Sequence, residues 1–100
     1  MGLTFAIITA NVVEWSLERH KLLVKLCGCE NYHQWIDEYN RRDVRLKAGA
    51  KIYWLRPSSL ELDLCGMRLD HYILGKDVVL TEEQKEQLRI CMMFSTKLNL

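Results

Sequence analysis

Residues 3–10, Leu3-Thr4-Phe5-Ala6-Ile7-Ile8-Thr9-Ala10, decide the fold. The stretch is rich in β-branched and aromatic residues. It is apolar on both alternations, with Leu3, Phe5 and Ile7 on one side and Ala6, Ile8 and Ala10 on the other. A strand side chain points to one face or the other with period two, so this pattern predicts a strand covered on both faces and placed centrally in a sheet.

Working outward, Asn11 caps a helix over residues 12–26, with Glu14 three positions on and Gly28 where the helix stops. Val12, Trp15, Leu22, Leu23 and Leu26 form its apolar face, and Glu18, Lys21 and Lys25 look to solvent. Asn31 with Gln34 repeats the capping signature. Tyr32, Trp35, Ile36 and Tyr39 then recur at i, i+3, i+4 and i+7, which predicts a second helix over residues 32–41.

Two hairpins are expected next. Val44, Leu46, Ala50, Ile52 and Trp54 are all even-numbered, so one apolar face survives only across an odd-numbered loop. Lys47-Ala48-Gly49 fits, with Gly49 at the left-handed position. Leu60, Leu62 and Leu64 are even, whereas Met67, Leu69, His71 and Ile73 are odd, so Cys65-Gly66 reads as a two-residue turn. Thr81-Glu82-Glu83-Gln84 is a capping box opening a last helix that runs to about Phe94. The predicted order is β-α-α-β-β-β-β-α. This describes an α+β domain spanning residues 1–100, with a mostly antiparallel sheet of about five strands and helices on one face.

Composition agrees with one globular unit. The 100 residues are 49% hydrophobic and carry 14 Lys+Arg against 13 Asp+Glu, which excludes a disordered chain held open by charge. The apolar run at residues 3–13 is too short to span a bilayer, contains Thr4, Thr9 and Asn11, and follows no Lys or Arg. Myristoylation of Gly2 would want Ser or Thr where Ala6 stands. A cytoplasmic setting without membrane attachment is expected, with Cys27, Cys29, Cys65 and Cys91 reduced.

Few residues suggest chemistry. Cys27, Cys29 and His33, with Cys65 or His71, are the sharpest metal candidate, but C-x-C is a poorer zinc spacing than C-x2-C. Glu61, Asp63 and Asp70 would cluster on the second hairpin as in a metal-dependent nuclease, yet Asp63 would face Arg68 and no nuclease motif accompanies them. His20, His33 and His71 have no nucleophile context, and no glycine-rich phosphate loop occurs. The chain therefore reads as a non-enzyme requiring no metal or cofactor.

Two surfaces stand out. Arg41, Arg42, Arg45, Lys47, Lys51 and Arg56 oppose only Asp43 and interleave with Tyr53, a pattern compatible with RNA or DNA, or with an acidic partner. In the last helix, Leu88, Cys91 and Met92 suffice for packing, which leaves Ile90, Met93 and Phe94 as a surplus apolar surface. The leading expectation is a small protein-binding module, a regulator, adaptor or inhibitor of a larger protein or complex, of the kind phages and mobile elements encode. A homodimer through the same patch is a second use of it. Nucleic-acid binding by the basic hairpin is the alternative.

Overall fold

The computed structural model describes residues 2–40 and 42–93. Five strands form one mixed sheet: β1 (Thr4–Ile8), β2 (Ile36–Tyr39), β3 (Asp43–Leu46), β4 (Lys51–Leu55) and β5 (His71–Leu74). The helices are α1 (Val12–Cys27), α2 (Leu60–Leu64) and α3 (Glu82–Met93). The α+β class and the five strands are as read from sequence, but the element order and strand pairing differ. In space the strands run β2-β3-β4-β1-β5, antiparallel across β2, β3 and β4 and parallel where β1 meets β4 and β5.

β1 is an interior strand whose Phe5, Ala6, Ile7 and Ile8 are all buried. Its alternation divides the core in two. Phe5 and Ile7 pack with Trp15, Leu22 and Leu23 of α1, whereas Ala6 and Ile8 pack with Leu60 and Leu64 of α2 and Leu88 and Cys91 of α3. Helices thus cover both faces, not one. The reason is topological: β4 and β5 both run parallel to β1, and parallel strands need crossovers that lay helices across the sheet. Each fully buried large aliphatic side chain contributes roughly 1.5–3 kcal/mol, and residues of that kind lie in both layers.

α1 begins and ends as its caps dictate. Asn11 Oδ1 accepts from the N–H groups of Val13 at 2.8 Å and Glu14 at 3.3 Å. Gly28 adopts φ 72° and donates its N–H to the Val24 carbonyl at 2.9 Å, a conformation that glycine alone adopts without cost. The Glu14 carboxylate does not close a capping box; it accepts from the Lys76 N–H at 3.2 Å. Of the predicted apolar face, Trp15, Leu22 and Leu23 are buried while Val12 and Leu26 are exposed.

The first hairpin matches its parity argument. Arg45 pairs with Lys51 and Val44 with Ile52, and the loop closes with Gly49 at φ 97°. Val44, Leu46, Ile52 and Trp54 face α1. Tyr53, on the opposite alternation, is half-buried against the second core.

Two predicted elements are replaced. The helix predicted over residues 32–41 is replaced, among its described residues, by a single 3₁₀ turn, Tyr32–Trp35, followed directly by β2. Asn31 makes no side-chain cap, and the free edge of β3 offers a ladder instead, pairing Ile36 with Leu46, Glu38 with Arg45 and Tyr39 with Val44. The second hairpin is also absent. A 3₁₀ turn, Pro57–Ser59, leads into α2, and β5 pairs with β1. Leucine at 60, 62 and 64 mimics strand alternation, but Leu60 and Leu64 are also one helical turn apart. They are 0% and 1% exposed, against 82% for Leu62. Pro57 at the start of the turn suits a helical entry and would hinder a strand.

The last helix begins at its capping box. Thr81 N–H donates to Gln84 Oε1 at 3.0 Å and Gln84 N–H donates to Thr81 Oγ1 at 3.1 Å. Gln84 Nε2 also donates to the Pro57 carbonyl at 3.0 Å, tying α3 to the entry of α2.

Candidate functional site

The antiparallel order makes β2 run in the same direction as β4, and β4 is parallel to β1. The carboxyl ends of these three strands therefore share one edge with the N-terminus of α1. In sheets with parallel strands this edge is a common place for ligands. A cleft of about 520 Å³ opens there, with Trp15, Arg19, Tyr39, Trp54 and Arg56 on its walls.

Its walls are built by stacking. The Trp15 and Trp54 rings lie 5.5 Å apart and within 10° of parallel. The Arg19 guanidinium sits 5.1 Å from the Trp15 ring and 4.9 Å from the Tyr39 ring, and that of Arg56 lies 4.8 Å from the Trp54 ring. Trp54 is anchored by its indole N–H, which donates to the Thr9 carbonyl at 2.7 Å. Beside the cleft, a smaller groove holds Arg42, Arg56, Ser58, Ser59 and Asp63. Arg19 was not singled out from sequence. Its signal is the Trp15/Arg19 spacing of four on one helix, which places the cation beside the ring.

The basic hairpin does not act as one surface. Arg45 lies 3.5 Å from Glu38 and 3.8 Å from Asp43, so its charge is locally answered. Lys51 and Tyr53 line another groove with Arg68 and Asp63. Lys47 sits in the exposed turn, Arg42 and Arg56 turn toward the cleft edge, and Arg41 lies outside the described residues.

On α3, Leu88 and Cys91 are buried, while Ile90 and Met93 are 44% and 50% exposed; Phe94 lies outside the described residues. Ile90 borders a groove of about 490 Å³ between α2 and α3, together with Leu64, Met67, Gln87 and Cys91. The Arg89 guanidinium donates to Met93 Sδ at 3.4 Å and to the Glu86 carboxylate, which holds that carboxyl below its usual range.

The remaining candidates are dispersed. Among the described residues, no three His, Cys, Asp or Glu side chains gather as a metal site. Cys27 packs on the α1 core, and burial followed by the neighbouring Cys29 thiol raises its pKa above the usual 9.0. Cys65 lines the α2/α3 groove beside Cys91, His33 packs on Tyr32, and His71 stacks on Phe5 at 5.4 Å. His20 Nδ1 meets the Tyr32 hydroxyl at 2.8 Å. Glu61 and Asp63 belong to α2, where Asp63 accepts from Ser59 Oγ at 3.1 Å, so neither is a cross-strand neighbour of Asp70. Asp70 is buried instead and accepts from the Thr4 N–H at 2.8 Å. No described helix is long and apolar enough to cross a membrane. Compared with known protein families, curated proteins and solved structures, the chain matches none.

Proposed function

We propose that the chain is a non-enzymatic protein-binding module that regulates, adapts or inhibits a larger protein through the outer surface of α3. One observation carries this reading: Ile90 and Met93 stand half-exposed on α3, and Ile90 borders a groove whose lining includes Leu64, Met67 and Cys91. Neither side chain is needed for the core, which α3 already fills with Leu88 and Cys91. Apolar side chains left at such a groove favour removal from water by a partner's side chains, and a flexible thioether adapts to their contour.

The test is the double substitution Ile90→Asp with Met93→Glu. The variant should stay folded and lose a protein partner that the wild type captures from its native host after nuclease treatment. Retention of that partner, or capture of nucleic acid alone, would refute the reading. Light scattering on the purified chain separates a second copy from a different protein as the partner. Nucleic-acid binding along the whole basic hairpin has less support, because Arg45 is paired with carboxylates and the other cations diverge.

A further inference from the structure

We infer that the cleft at the carboxyl ends of β1, β2 and β4 is a binding site for a nucleotide unit, a phosphate carried with an aromatic base. The surface is separate from the α3 groove, and the inference stands independently of the protein-binding reading.

Charge is the first argument. Arg19 and Arg56 both reach the cleft, and among the described residues none of the side chains lining it is acidic. Among the described residues neither guanidinium forms an ion pair or donates a hydrogen bond; both are held by ring stacking. Stacking uses the face of a guanidinium and leaves its N–H edge free, and that edge matches the oxygens of a phosphate. Arg42 adds a third cation in the neighbouring groove, whose described lining also includes the Asp63 carboxylate. Two or three forks without carboxylate partners suit a phosphate better than a single carboxylate.

The second argument is the aromatic lining. Tyr39 is 50% exposed and Trp54 is half-buried at the same opening. A planar ring entering beside Tyr39 would extend the existing series of stacked groups, and base–aromatic stacking contributes roughly 1–3 kcal/mol. Size is the third. About 520 Å³ lies within the range of small-molecule sites. It holds one nucleotide and not a duplex.

The phosphate and base could belong to a free nucleotide or to the end of a single strand. Both are tested by tryptophan fluorescence in a Trp35→Phe background, which leaves Trp15 and Trp54 as reporters inside the cleft. The probes are AMP, ribose 5-phosphate and a ten-residue oligodeoxyadenylate. AMP should quench saturably, ribose 5-phosphate should bind at least tenfold more weakly, and Arg56→Gln should weaken AMP binding about tenfold. Arg56 is exposed, so this variant should keep the wild-type melting temperature; Tyr39→Leu serves as a second variant and should weaken AMP by a larger factor than ribose 5-phosphate, because it removes the base-stacking face as well as one of the two rings that hold Arg19. Tighter binding of the oligonucleotide than of AMP assigns the site to a strand end, and equal or weaker binding assigns it to a free nucleotide. Absence of saturable quenching by both AMP and the oligonucleotide, undiminished AMP affinity in both variants, or equal affinity for ribose 5-phosphate and AMP would overturn the assignment.

Discussion

Leu60, Leu62 and Leu64 are chemically identical, yet they should respond differently to substitution, and the difference tests the architecture of the second layer. Leu64 is 1% exposed and packs with Leu60, Leu88 and Cys91. Leu64→Ala removes three buried carbons and leaves a cavity beneath α3, for which similar sites lose about 2–5 kcal/mol. In a domain of 100 residues, a loss near 3 kcal/mol lowers the melting temperature by roughly 12–24 °C. Leu62 is 82% exposed and belongs to neither core cluster. Leu62→Lys should therefore stay within about 0.5 kcal/mol of wild type, a shift of no more than roughly 4 °C. A hairpin at these residues would point all three leucines inward, and Leu62→Lys would then bury an ammonium group and be the more damaging change. Thermal melts followed by circular dichroism, with urea titrations to check that the slope is unchanged, decide between the two. Comparable losses for both variants would refute the helical assignment of residues 60–64.

The Gln84 side chain both completes the α3 cap and holds the Pro57 carbonyl, so Gln84→Ala should cost about 1–3 kcal/mol in urea unfolding; a neutral result would show that the two hydrogen bonds add nothing net. Burial raises the Cys91 pKa above 9.0, and its Sγ donates to the Leu64 carbonyl at 3.4 Å, whereas Cys65 is exposed. Iodoacetamide followed by mass spectrometry should label Cys65 first and Cys91 last, with Cys91 labelling still rising above pH 9; equal rates would mean that the α3 interface opens freely. Because the folded chain holds the Cys91 proton to higher pH than the unfolded chain, this group's contribution to stability is full below the ordinary thiol pKa. It is lost as pH rises through the folded value.

Local chemistry alone determined much of the molecule. The double alternation of residues 3–10 marked β1 as buried on both faces, and it implied two covering layers even though helices were expected on one. Asn11, Gly28, Gly49 and the Thr81/Gln84 pair each act within a few residues of themselves, so α1, the first hairpin and the start of α3 were legible without tertiary information. The segments that changed are those where two periods fit the same residues. Leucine at 60, 62 and 64 satisfies a strand and one helical turn equally, and Tyr32, Trp35, Ile36 and Tyr39 fit a helix as well as a turn followed by a strand. Which form prevails depends on what lies opposite: the free edge of β3 in one case, and α3 with the even face of β1 in the other. The cleft has the same origin. Trp15 and Arg19 are neighbours on a helix, but Tyr39, Trp54 and Arg56 reach them only because three strands end at one edge. That convergence is a property of sheet order, which no local pattern in the chain encodes.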